Sequence, residues 1–134
     1  MTPTSDGTGP PPGCRVLVAD GNPDTAESLA VLLRLHGHEV ATAHTGPDAL
    51  AAARSLRPDA VFLSILLHGM TGYEVARQLR AELNEKLVLI AMTGFAREED
   101  RQLALAAGFD YHLVKPADPN VVLALLHAGL TTQS

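Results

Sequence analysis

The sequence predicts an α/β fold: a doubly wound five-stranded parallel sheet in the order 2-1-3-4-5, with helices on both faces. Two observations carry this. Five short apolar runs alternate with helical patterns about every two dozen residues, one βα unit per period. Four of the five runs, RVLVAD, AVFLSI, LVLIAM and YHLV, are nearly continuous in apolar residues, as suits strands covered on both faces. Right-handed crossovers prune the topologies that remain. The reversal of strand order between the first and third strands then puts ligand chemistry at that carboxyl edge.

The strands fall at 15–20, 39–43, 60–65, 87–92 and 111–114. The second alternates polar and apolar residues and suits a sheet edge. Asn22-Pro23 supplies an N-cap and a proline at the first helical position, and Gly37 the left-handed stop. Thr45-Gly46-Pro47 opens the second helix in the same way. Thr71 with Glu74 is a capping box for the third. The fourth helix runs from about Ala96 to Ala107 and stops at Gly108, and Asp118-Pro119 opens the fifth. The strand ends deliver Asp20, Gly21, Ser64, Thr93 and Lys115-Pro116 to the carboxyl edge.

A chain of 134 residues that is 46% apolar fits one compact domain, and 19% charged residues is too few for a disordered chain. Ten basic against fifteen acidic residues give a net charge of −5, with Lys86 and Lys115 the only lysines. A nucleic-acid partner is therefore not expected. The single cysteine, Cys14, excludes an internal disulfide and any CxxC motif. Residues 1–14 hold four prolines without a basic or apolar signal region and read as a disordered tail. No run approaches the ~20 apolar residues of a membrane span, so a soluble cytoplasmic protein with no membrane partner is expected. Residues 15–130 then form the domain and 131–134 a short tail, with no output module for transcription inside the chain.

Four segments, VLVADGNPDTAESLAVLL, FLSILLHGMTGYEVARQLR, LIAMTGFAREED and AGFDYHLVKPAD, resemble the receiver (response-regulator) domains of two-component signalling. The resemblance covers residues 15–130. It implies a flavodoxin-like fold, a phosphoacceptor aspartate at the end of strand three, and an acidic pair after strand one that holds Mg²⁺. It also implies a hydroxyl residue after strand four and a lysine before a proline after strand five. Asp20, Thr93 and Lys115 match that pattern. Gly21 stands in place of the second acidic residue, Ser64 in place of the phosphoacceptor, His112 where many receivers carry a switch aromatic, and His68 in place of a frequent proline.

A site reduced to Asp20 alone should bind Mg²⁺ weakly or not at all, because such ions are held by one or two carboxylates plus substrate oxygens. No other cofactor is implied. With the charges of Asp20 and Lys115 nearly cancelling, Lys115 is expected to pair with Asp20 or the Ser64 hydroxyl. The leading reading is a pseudo-receiver acting by protein–protein contact with a histidine kinase, a phosphotransfer protein or a regulator, or as a homodimer. The alternatives are a regulator switched by another ligand or modification, and a small hydrolase using Ser64, which lacks a GxSxG elbow. Ser64, Thr93 and Lys115 are otherwise relics that fill and shape loops. The six histidines fall on different elements and read as scattered surface and loop residues. Apolar residues wrap most of helix five, so Val121, Val122, Leu125 and Leu126 are a candidate interface unless helix one covers them.

Overall fold

The computed structural model describes residues 14–83, 86–94 and 97–132, the side chains of Thr131 and Thr132 excepted. The elements alternate throughout: β1 (Arg15–Ala19), α1 (Pro23–Leu35), β2 (Glu39–Ala43), α2 (Gly46–Leu56), β3 (Ala60–Ser64), α3 (Gly72–Glu82), β4 (Val88–Thr93), α4 (Glu98–Ala107), β5 (Tyr111–Val114) and α5 (Pro119–Thr132). All strand pairs are parallel and the order is β2-β1-β3-β4-β5, as the sequence predicts.

The caps are those read from the sequence. The Asn22 side chain accepts from the backbone N–H of Asp24 and Thr25, with Pro23 at the first helical position. Thr45 accepts from Asp48 N–H. Thr71 and Glu74 form the reciprocal capping box, and Gly108 ends α4 in the left-handed region at φ 103°. The α4 helix begins at Glu98; Ala96, its expected start, lies outside the described residues, as do residues 1–13, most of the expected tail. Cys14, assigned to that tail, is buried and its carbonyl accepts from Glu39 N–H. Helix α5 continues two residues past position 130.

Successive strand side chains point to opposite faces, so the sheet divides the core in two. Val16, Val18, Phe62, Ile90 and Met92 meet α1 and α5 on one side. Leu17, Ala19, Leu63, Leu89 and Ala91 meet α2, α3 and α4 on the other. Each large side chain so buried contributes about 1.5–3 kcal/mol. In α5, Val122 and Leu126 are one helical turn apart and fully buried against the sheet with Leu29 and Leu33 of α1. Two of the four candidate interface residues therefore belong to the core, because one apolar stripe is spent on the sheet. Val121 is exposed and Leu125 half-buried. Gly129 lets α5 sit close: a Cβ there would come 2.7 Å from Val88 Cγ1.

Both edge strands are less covered than the centre. In β5, whose composition suggested full burial, only Leu113 is buried and Val114 is exposed; an edge strand lacks a neighbour on its outer flank. At the other edge, Arg34 of α1 reaches β2, its Nη2 donating to the Val40 carbonyl at 3.1 Å while Nη1 pairs with Glu27 at 3.3 Å.

Candidate functional site at the carboxyl edge of the sheet

The ends of β1, β3, β4 and β5 converge on one shallow hollow bordered by Asp20, Gly21, Leu66, His68 and Lys115. Asp20 follows β1 and is 2% exposed. Its Oδ1 accepts from Asn22 N–H at 2.9 Å, and its Oδ2 lies 2.6 Å from Lys115 Nζ. Ser64 ends β3 and is 1% exposed. Its Oγ accepts from Lys115 Nζ at 3.2 Å and from Leu66 N–H at 3.2 Å, and is placed to donate to the Leu66 carbonyl. The lysine pairing expected from the charge balance is thus present in both forms.

The lysine is aimed by its backbone. Lys115 N–H donates to the Thr93 carbonyl at 2.7 Å, tying the end of β5 to that of β4, and the Lys115-Pro116 peptide is cis. Thr93 is buried at the same edge. Below Ser64, Gly72 opens α3 against the β3 backbone: a Cβ there would overlap the Ser64 carbonyl and come 2.8 Å from Ile65 Cα. Only glycine permits this approach, which fixes the β3–α3 loop over the hollow.

Two histidines lie beside Asp20 and Gly21, and His68 borders the hollow. His44, at the end of β2, places Nδ1 3.1 Å from the Asp20 carbonyl. His68 is held by Gly46 N–H donating to its carbonyl at 2.8 Å, and its ring faces Gly21: a Cβ at position 21 would lie 3.4 Å from Nε2 and 3.3 Å from the Leu66 carbonyl. The contact of His44 with Asp20 has no signature in the sequence beyond its place just after an edge strand adjoining β1. His112 is not part of this group. It faces a separate hollow between α4 and β5, lined by Arg101, Ala104 and Phe109, where burial first and the Arg101 charge second hold its ring below the ordinary imidazole range against the opposing pull of Asp100. His38, read as a surface residue, is instead buried beside the α1–β2 turn, and burial then nearby His36 lower it similarly. Among the described residues no three His, Cys, Asp or Glu side chains are grouped to hold a metal ion, and no helix is long and apolar enough to cross a membrane.

An open parallel sheet with its polar side chains collected at the switch point is the architecture of CheY-like proteins. The chain itself belongs to the response regulator receiver domain family, whose model matches residues 16–127. Chemotaxis protein CheY4 of Vibrio cholerae superposes with a TM-score of 0.84 at 28% identity, over 88% of this chain and 99% of that one. A CheY-like receiver domain protein from Methanospirillum hungatei gives 0.81 at 27% identity, over 90% and 96%. In sequence, the DNA-binding response regulator MtrA of Mycolicibacterium smegmatis is 39% identical over 116 residues, 87% of this chain and 50% of that protein. Protein PilH of Pseudomonas aeruginosa is 32% identical over 87% of this chain and 97% of its own length.

These relatives correct one expectation. The low basic charge was read as excluding nucleic acid, yet several relatives are DNA-binding response regulators. The chain spans about half the length of those proteins, and the charge of a receiver domain does not report on the other half.

Proposed function

We propose that residues 15–130 act as a receiver module whose output does not depend on aspartyl phosphorylation. One observation carries the reading: at the end of β3 stands Ser64, buried and hydrogen-bonded to Lys115, where the family pattern has its phosphoacceptor. The ion that receivers hold does not fit the residues present. Among the described residues Asp20 is the one carboxylate bordering the hollow and already faces Lys115 Nζ, Gly21 offers no side chain, and the Ser64 hydroxyl is engaged. Mg²⁺ prefers a near-octahedral set of oxygens and dehydrates reluctantly, so weak or no binding is expected. Here the lysine does the work of a cation, neutralising Asp20 and bridging β1, β3 and β5.

The module then works by contact with protein partners such as a histidine kinase, a phosphotransfer protein or a regulator, in the cytoplasm. Exposed Leu103, Leu105, Val114 and Val121, on α4, β5 and α5, support this. Thr93 and Lys115 hold the loops of the hollow. A Ser64-dependent hydrolase is disfavoured, since Lys115 Nζ donates to Ser64 Oγ and is paired with Asp20, the reverse of a general base. Equal background ester turnover by wild type and Ser64→Ala is expected.

The test is intact mass spectrometry after incubation with Mg²⁺ and acetyl phosphate. Wild type should carry no phosphoryl adduct, whereas Gly21→Asp/Ser64→Asp should gain one, after a shift of a few tenths of an ångström away from the Leu66 carbonyl. An adduct on wild type overturns the reading.

The relatives support a second element. DNA-binding response regulators of about twice the matched length suggest that this module governs a DNA-binding activity. Fluorescence anisotropy of a labelled duplex should change little with this chain alone. A large change would place DNA binding on the receiver module itself.

A further inference from the structure

A further cavity shares Lys115 with the Asp20 hollow. It is a cleft of about 550 Å³ between α1 and α5, within the ~300–1,000 Å³ range of small-molecule sites. Its inner wall is apolar: Leu29, Met92 and Val122 are buried side chains and Leu32 is half-buried. Its mouth is polar on one side only. Asp24, Thr25 and Ser28 line it from the first turns of α1, and none of the three side chains has a hydrogen-bond or ionic partner among the described residues. Lys115, the one cation at the cleft among the described residues, is already within 2.6 Å of Asp20.

We propose that the α1–α5 cleft binds a small molecule with a compact apolar body and a hydrogen-bond-donating head, neutral or cationic. The apolar wall takes the body, since burying apolar surface is the dominant gain in such sites. The unpartnered Asp24 carboxylate and the two hydroxyls accept from the head. An anionic head would face Asp24 with no available cation to offset it. Lys115 borders both the cleft and the Asp20 hollow, so an occupant lies against the side chain that braces β1 and β3. The inference holds whether or not the Asp20 hollow takes a phosphoryl group.

The full chain is titrated with N-phenyl-1-naphthylamine, a neutral apolar fluorophore with one N–H donor, and with its sulfonated relative 8-anilino-1-naphthalenesulfonate. Wild type should give a saturable rise with one neutral dye per chain, and bind the sulfonate about tenfold more weakly. Ala117→Trp, which fills the cleft from the β5–α5 loop, should weaken the neutral dye about tenfold or more. Ser28→Trp, at an exposed helix position on the mouth, should do the same and decides the matter if Ala117→Trp loses its helical circular dichroism. Asp24→Asn should narrow the preference between the dyes. No saturable rise in wild type, or wild-type affinity in a folded filled variant, overturns the proposal.

Discussion

A cation–aspartate pair closes each end of the sheet, and the two closures are built differently. At the amino end, Arg80 of α3 donates to the Leu87 and Gly108 carbonyls, both at 2.6 Å, and to Asp110 Oδ2 at 3.0 Å, while Asp110 also accepts from Leu89 N–H at 2.8 Å. The guanidinium spends its fork on main-chain groups, joining α3 to the start of β4 and to the α4–β5 turn. At the carboxyl end, the Lys115 ammonium instead meets two side chains, the Asp20 carboxylate and the Ser64 hydroxyl. Main-chain partners exist at any sequence that folds this way, whereas side-chain partners change with one substitution. The amino closure therefore rests mainly on the fold itself, and the carboxyl closure on the identity of its side chains.

The comparison breaks most sharply at Lys115. Lys115→Met should cost about 2–3 kcal/mol in urea unfolding, because it leaves a buried carboxylate without its counter-charge; the partial exposure of the lysine keeps the loss at the low end. Adding Asp20→Asn should recover most of it. A cost near zero would mean that the carboxyl closure is as solvated as an ordinary surface pair. Arg80→Met comes next, at about 1–2 kcal/mol for charge-assisted bonds to carbonyls that water can partly replace. It should leave phosphoryl transfer to the Gly21→Asp/Ser64→Asp protein unchanged.

Acid should act more gently, through buried His38 and half-buried His112. Burial holds His38 and His112 below the ordinary imidazole value, so the unfolded chain takes up their protons first as pH falls. Their contribution is complete above about 6.5 and is lost progressively below it. The melting temperature of His38→Gln should therefore fall less steeply between about pH 6.5 and 5 than that of wild type. Smallest of all is Arg54→Ala. Its two-pronged pair with Glu82 is geometrically good, at 2.7 and 2.8 Å, but lies at the surface with both side chains partly exposed, and no measurable change in unfolding is expected.

The sequence made the fold readable because each βα unit carried its own punctuation: Asn22-Pro23, Thr71 with Glu74, and Gly108 act within a few residues and need no tertiary information. The carboxyl-edge residues were legible for the same reason, since strand ends are local and strand order follows from chirality. Less legible was whatever depended on two distant segments meeting. The Arg80 closure joins positions 28 and 30 residues apart and has no local signature. His38 looked like a loop residue until the α1–β2 turn packed over it. In α5, eight apolar residues in ten do not reveal which stripe faces the sheet, so the pattern leaves Val122 and Leu126 open between an interface and cover by helix one. Gly129, which sets how near that helix lies, is silent in a helical pattern.

Arg34 has an effect remote from either closure. By donating to the Val40 carbonyl it occupies an acceptor on an edge strand, where free main-chain groups are templates for a foreign strand. A parallel sheet with two open flanks is prone to grow sideways when chains are crowded. Arg34, at the end of α1, lies across β2 and takes one such acceptor away from an incoming strand.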